Sequence, residues 1–298
     1  MIAVMAVAPL GALAASVALI MLAALLAPKH KVLALALSAV VLLVLPWLAG
    51  PVPLVRALFA LNFLSVFRVI DLVRSREPWS AWRRIVHSLS FLDTRLLRRQ
   101  RPGFDIAAWV AGLAWGSLAM VALQVVRTVA PHGTDEVPWL RWGAGLAFVY
   151  AAIEAGYAIV RASLHAVGLA TSPLHVLPLA SLTVAELWGK RWARPVSHWL
   201  HTTCFVPLAR RGHPTLGILL GFVVSALGHC HPVLVTLGPA MAAMMFGYFL
   251  VQGLAVAVET RLGVAKWPRP LQRSWTLVIM LATSPLFVEP SLRIVLTE

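Results

Sequence analysis

Residues 214–258 read PTLGILLGFVVSALGHCHPVLVTLGPAMAAMMFGYFLVQGLAVAV and contain no Asp, Glu, Lys or Arg. A hydrocarbon core needs roughly 20 apolar residues in helical form to be crossed. This run therefore predicts two crossings, near 214–230 and 233–258, with a helix break at Pro232. No ten-residue alternation of barrel strands is present, which leaves helices as the spanning element. Working outward, comparable runs predict helices near 5–27, 32–49, 52–72, 107–130, 141–168 and 275–295, about eight in all. The first is apolar to Pro28 with no Lys or Arg before Lys29. A secretory signal begins with a basic region, so a transmembrane helix is expected there instead. Residues 174–209 are apolar but interrupted by Trp, Pro and charge, as in a re-entrant or interfacial segment.

The whole chain agrees. Of its 298 residues, 60% are hydrophobic and 12% charged, against roughly 45–50% and about 25% in soluble domains. The expected class is an all-α polytopic integral membrane protein. No linker or repeat divides it, so residues 1–298 read as one domain. A net charge of +14 would suggest nucleic acid in a soluble protein. Here the basic residues gather between spans: Lys29 and Lys31, the arginines from Arg74 to Arg101, Arg161 with Lys190 to Arg211, and Arg261 to Arg273. The opposite loops hold Pro51 and the acidic pair Asp135/Glu136. The positive-inside rule places the basic loops in the cytoplasm and both termini outside, and no nucleic-acid partner is expected. Composition leans towards a bacterial plasma membrane. The loop 74–104 carries Trp79, Trp82, Ile85, Leu89, Leu92, Leu96 and Leu97 among arginines. It reads as an amphipathic helix at the cytoplasmic interface that anchors the chain or meets an anionic substrate.

Five of the ten histidines fall between His198 and His231, inside the stretch 186–231, ELWGKRWARPVSHWLHTTCFVPLARRGHPTLGILLGFVVSALGHCH. Ionisable groups are costly at membrane depth and tend to mark function. His198, His201, Cys204, His229, Cys230 and His231 offer metal-donor atoms. Adjacent His229, Cys230 and His231 cannot converge from a regular helix, however, and no carboxylate lies among them, so no metal is expected. Cys204 and Cys230 form no CxxC pair and have no readable activating partner.

Glu186-Leu187-Trp188-Gly189-Lys190-Arg191-Trp192 resembles the [D/E]-F-W-G-R-R-W element of membrane-bound O-acyltransferases, in particular the wax-synthase-like branch. Ser197-His198-Trp199-Leu200 and Phe205-Val206-Pro207-Leu208 are similar to the S-x-W-L and aromatic-x-P-L stretches that follow in that family. Ser225-Ala226-Leu227-Gly228-His229 resembles its S-G-L-x-H, whose histidine is catalytic. Phe249 to Gly253, Glu259 and Ser284 to Phe287 resemble later elements. The 181–231 region carries most of the likeness. The family has Asn or His directly after the second Trp, where this chain has Ala193; His198, His201 or His231 could stand in for it.

The resemblance implies transfer of an acyl group from acyl-CoA, as co-substrate, to the hydroxyl of a lipidic alcohol, with no permanently bound cofactor. That reaction needs a base for the alcohol proton, and a neutral imidazole suits it. A dry interior keeps water from the thioester. His229 continues a stripe of Gly217, Gly221 and Ser225 that lets another helix approach closely. The plainer reading of His229 is a packed histidine bonded to a carbonyl. Catalytic candidates are His229, Ser225 and His198. Candidates for holding CoA phosphates are Lys190, Arg191 and Arg194, with Trp188 and Trp192 beside them. Ordinary positive-inside charge and interface anchoring are the simpler accounts of those five. A transporter would show paired interrupted helices, and only one interrupted region is present; a non-catalytic protein of the same fold is the remaining alternative.

Overall fold

The computed structural model describes residues 2–90, 92–129 and 138–296; Asp135 and Glu136 lie outside the described residues. The chain is an all-α, multi-pass membrane protein. In chain order its principal helices are α1 (Ile2–Leu26), α2 (Lys31–Leu43), α3 (Pro53–Ala60), α4 (Phe63–Arg74), α5 (Ala81–Leu89) and α6 (Ile106–Val129). There follow α7 (Pro138–Ala166), α8 (Arg194–Leu200), α9 (Pro214–Leu237), α10 (Pro239–Leu262) and α11 (Arg269–Leu296). Among the described residues, seven segments are long and apolar enough to cross a bilayer, α3 and α4 counting together as one, Pro53–Arg74.

Two boundaries differ from the sequence expectation. The run 32–49 is broken at Val44, so α2 is a 13-residue helix followed by the short turn Leu45–Leu48. Pro46 is the cause, since it lacks an N–H and disfavours the α conformation in the residue before it. The break expected at Pro232 falls instead at Gly238, which adopts φ +84°. Pro232 sits inside α9, where the Thr236 hydroxyl donates to its carbonyl at 2.7 Å. Prolines are tolerated within membrane helices, whereas a left-handed glycine ends a helix outright.

The contacts gather into two compact units. One draws on Met1–Leu96, Leu227–Ala243 and Arg293–Glu298, the other on Leu97–Ala226 and Met244–Leu292. In the first, Ala23, Ala24, Ala27 and Ala34 pack with Val69, Leu72 and Trp79, small residues that let helices approach. The predicted amphipathic helix over 74–104 is confined to α5. It starts at Ser80, whose hydroxyl accepts from Arg83 N–H at 3.2 Å. Beyond Leu89, Asp93 accepts from Arg95 N–H at 2.9 Å, a local turn that competes with helix. Arg98 and Arg99, expected to continue the helix, pair instead with Leu169 and Ala170 in a two-residue antiparallel ladder of the second unit.

In that second unit α6 packs along α7, and a Cβ on Gly112 would lie 3.4 Å from Ala158 Cβ. Arg141 and Glu289 join α7 to α11 through a 3.0 Å ion pair. Beside it, a Cβ on Gly145 would come within 2.5 Å of Val288; only glycine allows that approach.

Candidate functional site

The segment expected to be broken is a succession of short helical turns. Thr183 caps Val184–Glu186, accepting from Glu186 N–H at 3.0 Å. The next five residues, Leu187–Arg191, form a π turn, closed by Trp192 N–H on the Leu187 carbonyl at 2.8 Å. A second π turn covers His201–Phe205, after α8. Such wide turns are rare and often mark functional positions.

Glu186 locks the first turn. It accepts from Arg191 Nε at 2.8 Å and from Leu182 N–H at 2.8 Å. Burial pushes the Glu186 carboxyl up, but those hydrogen bonds and the Arg191 charge outweigh it and hold the group below the usual carboxylate range. Arg191 also donates to the carbonyls of Val176 and Leu177 at 3.2 and 3.3 Å. Its donors are therefore committed within the chain. Lys190 and Arg194 are exposed, and their side chains make no hydrogen bond or ion pair among the described residues.

Trp188 is the centre of the second unit's polar and aromatic packing. Its Nε1 donates to Gln252 Oε1 at 3.0 Å. Gln252 is fully buried and donates in turn to Thr283 Oγ1 at 2.7 Å. The Trp188 ring lies 6.0 to 6.2 Å from Phe222, Tyr248, Phe249 and Trp192. Phe287 closes the set at 5.2 Å from Tyr248. Glu259 accepts from the N–H groups of Val184 and Ala185 at 3.0 and 2.6 Å and from Trp275 Nε1 at 3.2 Å. Three stretches far apart in sequence, 186–192, 249–253 and 284–287, thus meet in one aromatic cluster, with Glu259 bonded to the turn just before the first.

The small-residue stripe of α9 receives the second π turn rather than a long helix. A Cβ on Gly217 would lie 2.9 Å from the Phe205 carbonyl, and one on Gly221 4.0 Å from Cys204 Cβ. Ser225 is half-buried, one turn further on. In the first unit His229 is half-buried with its ring 5.9 Å from Phe63, and neighbouring Gly228 leaves only 3.0 Å for a Cβ against the same ring. His231 Nε2 donates to the Leu42 carbonyl at 2.7 Å. His198 is exposed on α8, and His201 is exposed and stacked on Phe205 at 5.1 Å.

Ala193 adopts φ +39°, in the left-handed region, which costs an L-residue other than Gly, Asn or Asp roughly 1–2 kcal/mol. An asparagine would be at ease there. The imidazole of His175 stands beside this turn. Its flanking residues are bonded across Ala193, Val176 N–H to Arg191 O at 2.8 Å and Arg194 N–H to Leu174 O at 3.0 Å. The His175 ring is 4.3 Å from Trp192 and 5.5 Å from Tyr150. Its Nδ1 lies 2.7 Å from Glu154 Oε1, in the middle of α7. Sequence reading missed both residues. A usable signal existed: Glu154, Arg161 and His165 share one face of a largely apolar helix.

No family model matches the chain, and no curated protein matches it.

Proposed function

We propose that this protein is a membrane-embedded O-acyltransferase that moves an acyl group from acyl-CoA to the hydroxyl of a lipidic alcohol. One observation carries the reading: three of the stretches that resemble the wax-synthase-like acyltransferases, 186–192, 249–253 and 284–287, gather in the aromatic cluster of Trp188, whose Nε1 bonds Gln252. In the proposed reaction the neutral His229 imidazole takes the hydroxyl proton as the alcohol oxygen attacks the thioester carbonyl. The C–S bond then breaks, the ester leaves, and the proton passes to the CoA thiolate. Ser225, one turn before His229 on α9, assists by hydrogen bonding. His198, exposed on α8, receives no role. Lys190 and Arg194 have uncommitted charges for the CoA phosphates; Arg191 instead keeps the π turn closed. The proposed setting is a bacterial plasma membrane with the basic loops cytoplasmic and both termini outside, the broken run 31–48 serving as an eighth crossing.

The test supplies membranes containing the protein with labelled acyl-CoA and a long-chain alcohol. Wild type is expected to form ester, and His229→Ala to lower the rate by about 100-fold or more, the usual contribution of a general base. Equal yields from the two would remove His229 from the mechanism; no ester from wild type with a range of alcohols would favour a non-catalytic protein of this kind.

A further inference from the structure

A cavity of about 560 Å³ lies in the second unit along α6, α7 and residues 169–174. Its walls include Asp105, Glu154, Tyr157, Arg161, His165 and Thr171. Four of these, Glu154, Tyr157, Arg161 and His165, recur every three or four residues and so form one polar stripe on α7. Glu154 lies near the centre of that 29-residue span. A carboxylate at such depth is costly and marks a functional surface by default.

The partners of these groups restrict what the cavity accepts. Arg161 Nε donates to Asp105 at 2.9 Å, and His165 Nδ1 lies 3.4 Å from the same carboxylate. Glu154 is held from behind by His175, whose side chain is 1% exposed. Each carboxylate already has a cationic or imidazole partner, so neither requires a cation from outside. Each keeps lone pairs that accept an O–H. The Tyr157 hydroxyl is tied to Thr171 and to the Ser172 carbonyl. Ala108, Trp115 and Leu174 also line the cavity and can face the first methylenes of a lipid, but a chain set against the carboxylates would strip their solvation without return.

We propose that this cavity binds the head group of the acceptor, and that it favours a lipid bearing several hydroxyl groups over a plain long-chain alcohol. Glu154 is the recognition residue, and His175 positions it. The word acceptor rests on the acyltransferase reading; the preference for a polyhydroxylated head rests on the cavity alone.

The experiment measures equilibrium binding to the full chain in lipid nanodiscs of three lipids with the same chain: hexadecyl glycerol ether, hexadecanol and hexadecylamine. The glycerol ether is expected to bind about tenfold more tightly than hexadecanol, as hydrogen bonds to a charged acceptor imply. Glu154→Gln should reduce that ratio to about twofold. Ala111→Phe, which fills the cavity without touching a carboxylate, should also abolish the preference, and it serves if Glu154→Gln fails to fold. Equal binding of the first two lipids by wild type, hexadecylamine binding tightest, or an unchanged ratio in a folded variant would each overturn the proposal. Ester formation from the same lipids separates the two readings. A binding preference without ester from any acceptor would sink the acyltransferase and leave the cavity assignment standing. Ester formation without a preference would do the reverse.

Discussion

Each unit buries a group of ionisable side chains, and the two groups have different surroundings. In the first, Arg68, Asp71, His87, Asp93 and Arg95 are knitted together. Arg95 reaches Asp71 at 2.8 Å and Asp93 at 2.6 Å, while Arg68 lies 3.3 Å from Asp71. His87, fully buried, bonds the Thr94 hydroxyl at 2.8 Å and meets the Trp79 ring at 4.9 Å. These charges answer one another and fix the chain on either side of α5. In the second unit, Glu154 has His175 and the Tyr150 hydroxyl beside it and also lines a cavity. Buried charge alone therefore does not distinguish scaffold from site. Access to a space that a ligand could fill does.

The sharpest way to break this contrast is to remove one carboxylate from each group. Asp93→Ala leaves Arg68 and Arg95 short of a partner, and removing one member of a buried ion pair costs about 3 kcal/mol or more. Glu154→Gln retains an acceptor for His175, so its cost should stay near 1 kcal/mol. Denaturant unfolding in detergent micelles measures both. If the order is reversed, the first cluster is not the structural one.

A smaller effect follows from pH. Burial pushes the Asp93 carboxyl up, but its hydrogen bonds from Arg95 and the charges of Arg95 and Arg68 prevail and keep it below the ordinary carboxylate range. Glu186 is depressed in the same sense. A carboxylate lowered in the folded state contributes stability that is fully present above its unfolded pKa, near 4, and is lost as pH falls through the folded value. The unfolding midpoint should therefore hold steady from about pH 7 to about pH 5 and decline below about pH 4. Asp93→Asn should flatten part of that decline; an unaltered profile would show that Asp93 takes no part in it.

The smallest effect concerns backbone strain in the second unit. Ala193→Gly should raise stability by about 0.5 kcal/mol, the relief of a left-handed alanine less the extra entropy of glycine. Ala193→Val should lower it. The same unfolding assay resolves the sign, and stabilisation by valine would contradict the strain.

Much of the fold was legible because crossing a bilayer is a local requirement. The spans 107–130, 141–168 and 52–72 lie within a few residues of the observed helices, since each depends on its own run of apolar residues. Legibility failed where a longer-range or conformational detail intervened. Gly238, not Pro232, ends α9, because positive φ stops a helix more firmly than a missing N–H. The 74–104 loop stops being helical where Asp93 turns back on Arg95. At the candidate site, the closeness of Glu186 and Arg191 was implicit in their spacing within one motif. That His175 would stand beside Ala193 was not, since two backbone hydrogen bonds from outside the motif place it there.

The sequence by itself determined that this chain is a bundle of apolar helices with its basic residues gathered between them, because hydropathy and charge act residue by residue along the chain. Only the tertiary structure decided which ionisable groups cancel one another, which tryptophan gathers the separated motifs, and which carboxylate faces a cavity. Those outcomes depend on hydrogen bonds and ion pairs that act over a few ångströms between residues far apart in the chain. Composition cannot specify such distances.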